Sequence, residues 1–267
     1  MAAVPLPADV ATSPGSLGGV PVVNVEVAGV DSGRVILYLH GGAYAIGSAA
    51  SSVGLASDLA RRAGARLVCV DYRLAPDDPH PAALDDAVAA YRGLLDSGQT
   101  PSRIAIAGES SGAGLAAASL VALKNGELPQ PSSAFLMSPW ADLTLSGDSI
   151  TQKGPLDPAL TRAGLQRRAA DYVANGDATD ALISPINADL TGLPPLLIQS
   201  GSHEILLNDA TRLATRAAAA DVAVTLEVTP GVPHVFQAFA AILDEADAAL
   251  TRASAFLRAH FATEPHA

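Results

Sequence analysis

In the stretch Arg103-Ile-Ala-Ile-Ala-Gly108-Glu109-Ser110-Ser111-Gly112-Ala-Gly114, a serine sits between two flanking glycines. Residues 103–107 alternate into a short apolar strand, and residues 113–123 are an Ala-rich, apolar run with helical character. Ser110 therefore falls on the turn between strand and helix. A nucleophile on such a turn is forced into a strained backbone, and small neighbours keep strand and helix from colliding. The strain lifts the hydroxyl clear of the sheet, while the helix N-terminus points free N–H groups at the reaction centre. The G-x-S-x-G pattern is weak alone; the strand–turn–helix context makes it specific.

Acyl transfer at a serine creates a negative oxygen that needs donors. His40-Gly41-Gly42-Ala43 directly follows the apolar run Val35-Ile-Leu-Tyr-Leu39. Paired glycines bring backbone N–H groups close without side-chain interference, so the expected donors are the amides of Gly41, Gly42 and Ser111. Each such donor is worth about 3 kcal/mol of transition-state stabilisation. His40 is expected to hold the glycine loop by hydrogen bonding. No second histidine lies nearby at metal-ligand spacing, so no metal and no cofactor are expected.

A serine hydroxyl also needs a base oriented by a carboxylate. Of six histidines, His260 and His266 sit at the chain end and His80 lies in a Pro-rich turn, whereas His234 occupies a loop between the last strand and the last helix. From there an imidazole can swing over the nucleophile, and His234 is the expected base. The carboxylate should follow the penultimate strand, Leu196–Ser200, in Gly201-Ser-His203-Glu204-Ile-Leu-Leu-Asn208-Asp209. Glu204 is the choice, Asp209 the alternative; Asp209 and Asn208 are also explained as helix caps. His203 has no assigned task. The order serine, acid, histidine is that of the α/β-hydrolases.

Those groups must be positioned by a larger frame. Strands are expected at residues 22–27, 35–39, 67–71, 104–107, 134–138, 196–200 and 224–228. Helices are expected at 53–63, 81–95, 113–125, 160–174, 208–220 and 239–261. The alternation implies βαβ crossovers, hence a mostly parallel twisted sheet with helices on both faces. Only Gly29 to Gly33 separates the first two strands, which predicts an antiparallel hairpin at one edge. Residues 1–20 read as a loose lead-in, and residues 141–190, lacking a strand, as a partial cap inserted in one domain spanning 1–267.

With 267 residues and 49% hydrophobic content, the chain can bury one large core. Its net charge is −11 with two lysines, Lys124 and Lys153. Such a surface repels nucleic-acid backbones and anionic lipid, so neither partner is expected. Cys69, the one cysteine, lies in an apolar run and reads as a buried structural thiol. No secretory signal or membrane span is apparent, which places the expected protein in the cytoplasm.

Taken together, His40-Gly41-Gly42, Asp71-Tyr72-Arg73-Leu74-Ala75-Pro76, Gly108-Glu109-Ser110-Ser111-Gly112, Ser138-Pro139-Trp140 and Pro233-His234-Val235-Phe236 make the chain resemble the hormone-sensitive-lipase-like α/β-hydrolases, bacterial esterases with an HGG loop. The resemblance covers roughly residues 35–261 and looks strongest toward the monoterpene ε-lactone hydrolases and related carboxylesterases. It implies an α/β-hydrolase fold with a reduced cap and hydrolysis of short-to-medium carboxylic esters or lactones through an acyl-enzyme. Ala43 replaces the family's third loop glycine, Glu109-Ser110-Ser111 its Asp-Ser-Ala, and Glu204 its acid aspartate. Family members usually begin with helices forming half of the cap. The short start here implies an open pocket, broad specificity and a homo-oligomer covering exposed apolar surface. Amide or acetyl-group hydrolysis would use the same triad. A non-catalytic small-molecule receptor on this fold is disfavoured because Ser110, a carboxylate and His234 are all present.

Overall fold

The computed structural model describes residues 6–30 and 33–262. Its eight strands form one sheet in the order β1-β2-β4-β3-β5-β6-β7-β8. These are β1 (Val10–Leu17), β2 (Val20–Val27), β3 (Val35–Leu39), β4 (Arg66–Val70), β5 (Ile104–Glu109), β6 (Ser133–Met137), β7 (Leu196–His203) and β8 (Val224–Pro233). From β4 to β8 every neighbouring pair is parallel. Helices α1 (Val53–Ala63), α2 (Ala82–Asp96), α3 (Ser111–Asn125), the short α4 (Ser149–Gln152), α5 (Arg162–Val173), α6 (Leu207–Ala219) and α7 (Asp244–His260) complete the frame.

Side chains alternate across a strand, and β3 shows the consequence. Val35, Leu37 and Leu39 face one core with Ala87 and Leu94 of α2, Leu115 of α3 and Leu213 of α6. Ile36 and Tyr38 face the other with Leu59 of α1 and Leu250 and Leu257 of α7. A strand apolar at every position is the mark of a sheet covered on both sides, and all five residues of β3 are buried. Cys69 is buried in the second core, where burial pushes its thiol pKa up.

Two expectations at the N-terminal edge are corrected. Residues 22–27 and 35–39 run antiparallel but are not neighbours: β2 pairs with β4, Val22 opposite Val70 and Val25 opposite Leu67, while β3 lies between β4 and β5. The fully buried β3 requires partners on both sides, and β2, with its partly exposed pattern, suits a place near the rim. The loose lead-in at 1–20 is also wrong for most of its length. β1 pairs along all of β2, from Val10–Val27 to Leu17–Val20, through a turn at Gly18 and Gly19. A Cβ on Gly18, whose φ is +56°, would stand 2.1 Å from the Ala89 carbonyl oxygen of α2. β1 escaped sequence reading because its side chains are largely exposed and include Pro14 and Gly15. It is an edge strand held by backbone pairing, and proline is tolerated there.

Between β6 and β7 no strand forms. Residues 141–190 instead carry α4, α5 and a 3₁₀ turn at Pro185–Asn187. α5 begins where the Thr161 hydroxyl accepts the Gly164 N–H at 3.1 Å, a side-chain N-cap. No helix among the described residues is long and apolar enough to cross a membrane.

Candidate active site

Everything chemical gathers where the parallel strands end. Ser110 joins β5 to α3 with φ +55° and ψ −122°, a region that costs an L-residue of order 1–3 kcal/mol. Its surroundings enforce that conformation. The Ser110 N–H donates to the Met137 carbonyl at 2.8 Å and its carbonyl accepts from Trp140 N–H at 3.0 Å. A Cβ on Gly112 would lie 2.1 Å from the Leu39 carbonyl oxygen, and one on Gly108 would lie 2.4 Å from that of Gly112. The two glycines of the pattern are there because backbone passes backbone.

His234 follows β8 and brings its Nε2 to 2.9 Å from Ser110 Oγ. Its Nδ1 lies 2.6 Å from Glu204 Oε2; a carboxylate only accepts, so Nδ1 carries the proton and Nε2 is left to accept from the serine. The Glu204 side chain is 0% exposed and that of His234 is 7%. The Ser200 hydroxyl donates to the second Glu204 oxygen. Beyond the imidazole, Val235 takes φ +51° and donates its N–H to Ser138 Oγ at 3.1 Å, which fixes how the histidine loop turns.

Asp209 is not part of this chain. Its carboxylate accepts the backbone N–H groups of Ala141 and Asp142, each at 2.9 Å, and it is wholly buried in the first turn of α6. The expectation that it caps its own helix is therefore corrected: it braces the loop after Trp140. Asn208 reaches the Ser149 N–H at 2.8 Å rather than its own helix end. Burial, then the nearby Asp142, holds the Asp209 carboxyl well above the usual range.

The glycine loop departs from expectation at one donor. Gly41 does lie against the nucleophile, but its N–H donates to Glu109 Oε1 at 3.1 Å and is committed. The amides of Gly42, at φ +125°, and Ala43, at φ +53°, have no partner among the described residues, and Ser111 N–H is the first amide of α3, without an intrahelical acceptor. Sequence reasoning had not singled out the Ala43 amide, which the structure leaves unpaired beside that of Gly42. The signal was the loop's proximity to Glu109, which spacing alone does not reveal. His40 does brace the loop, its Nδ1 2.7 Å from the Gly41 carbonyl. Its ring stacks on Tyr72 at 4.2 Å, and Tyr72 donates to the His40 carbonyl at 2.6 Å. Burial lowers the His40 pKa, which disfavours a charge on this ring.

His80 packs edge-on against Tyr172 and His260 caps back onto the Phe256 carbonyl; His203 is half-buried, and His266 lies outside the described residues. No cluster of potential metal ligands occurs among the described residues.

A serine on a strained strand–helix turn, bonded to a histidine that is bonded to a buried carboxylate, defines a class of hydrolase. Residues 36–238 match the family model of the α/β hydrolase fold. The chain is 47% identical over 226 residues to an acetyl-hydrolase of Streptomyces hygroscopicus, covering 85% of this chain and 76% of that one. A crystal structure of an esterase of the bacterial hormone-sensitive lipase family superposes with a TM-score of 0.95 at 44% identity, over 97% of this chain and 87% of that one. The esterase EstE5, soaked with p-nitrophenyl butyrate, superposes with the same TM-score at 39% identity, over 98% and 88%. The chain belongs to the α/β-hydrolases, among the esterases similar to hormone-sensitive lipase.

Proposed function

We propose that this protein hydrolyses small carboxylic esters, lactones included, through a covalent acyl-serine. The observation that carries the reading is the unbroken chain from Ser110 through His234 to Glu204. Ser110 Oγ attacks the carbonyl carbon as its proton passes to His234 Nε2, and Glu204 stabilises the resulting imidazolium. The tetrahedral oxygen is received by the amides of Gly42, Ala43 and Ser111. Collapse breaks the C–O bond, and the leaving alkoxide takes the proton from His234. Water, deprotonated by the same imidazole, then frees the acid and restores Ser110.

Residues 141–190 act in this reading as a partial cap on a single α/β domain. α5 supports that role, since its Tyr172 ring stacks on Tyr44 of the glycine loop at 3.8 Å. So does Asp157, which accepts the N–H of Ile205, next to Glu204, at 2.8 Å. Acetyl esters are a favoured substrate class because the Streptomyces relative is an acetyl-hydrolase. Self-association belongs to the same reading, through the apolar edge strand β8. The deciding experiment is a fluorophosphonate label with and without Ser110→Ala, alongside p-nitrophenyl acetate hydrolysis. A label that survives the substitution overturns Ser110 as the nucleophile.

A further inference from the structure

The residue before the nucleophile does work that the triad does not explain. Glu109 ends β5 and gathers donors from three separate segments. The Tyr38 hydroxyl of β3 donates to Oε2, while the Gly41 N–H at 3.1 Å and the Ser52 hydroxyl at 2.8 Å donate to Oε1. Ser52 closes the short 3₁₀ turn Ala49–Ser52 that follows the glycine loop. The carboxylate thus ties both ends of the segment 41–52 to the strand that carries Ser110. A Cβ placed on Gly41 would lie 3.0 Å from Glu109 Cγ and 3.3 Å from Ser110 Cβ, so the tie sits directly beside the nucleophile.

The loop needs such a tie. Gly41 and Gly42 have wide backbone freedom, and an oxyanion donor contributes to rate only when it is held in place before the charge develops. We infer that Glu109 is the positioning residue of the oxyanion loop: it engages the Gly41 amide and Ser52 so that the Gly42 and Ala43 amides stay fixed and unpaired beside Ser110. This rests on the acyl-serine reading above. Glu109 touches no reacting atom. Its influence passes through the two amides that do.

The test compares Glu109→Ala, Glu109→Gln and Ser110→Ala using p-nitrophenyl acetate and a trifluoromethyl ketone, 1,1,1-trifluoroheptan-2-one, whose hemiketal oxygen occupies the oxyanion position. Glu109→Ala is expected to lower kcat by roughly 10–100-fold with KM within about threefold, and to weaken the ketone in parallel. Glu109→Gln, whose amide oxygen still accepts from Gly41 and Ser52, is expected to restore kcat to within about threefold. A kcat for Glu109→Ala within threefold of the parent overturns the inference. So does a loss confined to KM, an unchanged ketone affinity, or a glutamine variant as poor as alanine. If near-UV circular dichroism shows Glu109→Ala to be unfolded, Ser52→Ala and Tyr38→Phe carry the test, each expected to lower kcat several-fold with the same split; two unchanged values overturn it. Hydrolysis retained by Ser110→Ala would instead sink the acyl-serine reading itself. A dead Ser110→Ala beside a fully active Glu109→Ala sinks only this one.

Discussion

Ser110, His234 and Glu204 act as a unit only if each depends on the next. Ser110→Ala is therefore expected to lower kcat for p-nitrophenyl butyrate by about 10⁴- to 10⁶-fold. His234→Ala should fall as far, and the double variant little further; additive losses would remove His234 as the base. Glu204→Gln should cost orders of magnitude in kcat by removing the charge that supports the imidazolium. Asp209→Asn should leave kcat nearly intact, and its stability effect has a definite sign. A carboxyl whose folded pKa is raised stabilises the fold fully below its unfolded pKa, and that contribution is lost as pH rises through the folded value. With burial and Asp142 raising Asp209 against the Asp142 and Ala141 N–H groups and Arg212, which lower it, Asp209→Asn should match the parent near pH 4. At neutral pH and above it should be equally or more stable, because asparagine keeps the acceptor for Ala141 and Asp142 without a charge to bury. Urea midpoints at the two pH values check this; an asparagine variant weaker only at high pH would show that the buried charge is favourable. The serine and histidine were legible because their motifs fix backbone context. Asp209 was misread because a carboxylate at a helix start looks like a cap, and only tertiary structure showed that its partners lie 67 and 68 residues away.

At the scale of elements, the parallel strands and their helices were legible from apolar runs, and α1 and β3 have the expected bounds. What failed was adjacency. A buried strand and an edge strand that follow one another in sequence need not pair, and β1 has no apolar signature to announce it. Helix α5 was legible too, but not its anchor. Tyr172, fully buried, stacks on Tyr44 at 3.8 Å and meets His80 edge-on. Tyr172→Ala is expected to cost roughly 3–5 kcal/mol, the range for a buried aromatic removed from a packed site. Tyr172→Phe should cost little, because the ring carries the stacking and its hydroxyl makes only a 3.4 Å contact to His80. Because Tyr44 adjoins Ala43, the alanine variant should also lower kcat. Chemical denaturation and kinetics on the same samples check the pair, and an alanine variant of parental stability and rate would show that α5 does not support the glycine loop.

At the scale of the whole molecule, two opposing features bear on the proposed self-association. β8 is the last strand of the sheet and leaves Leu226 and Val228 38% and 40% exposed. An apolar edge with unpaired backbone groups favours pairing with a second copy. Against this, each chain carries a net charge of −11, and like-charged chains repel at a range set by the Debye length, about 30 Å at 0.01 M salt and about 3 Å at 1 M. Association should therefore strengthen as salt screens the repulsion, the reverse of an interface built on ion pairs. Leu226→Lys with Val228→Lys should abolish it by placing charge on the strand edge, while leaving kcat unchanged because β8 contributes to the site only beyond Val232. Light scattering across that salt range, on parent and double variant, gives the measurement. A parent that stays monomeric throughout removes β8 as an interface, and a dimer that dissociates as salt rises would place the contact on charged surface instead.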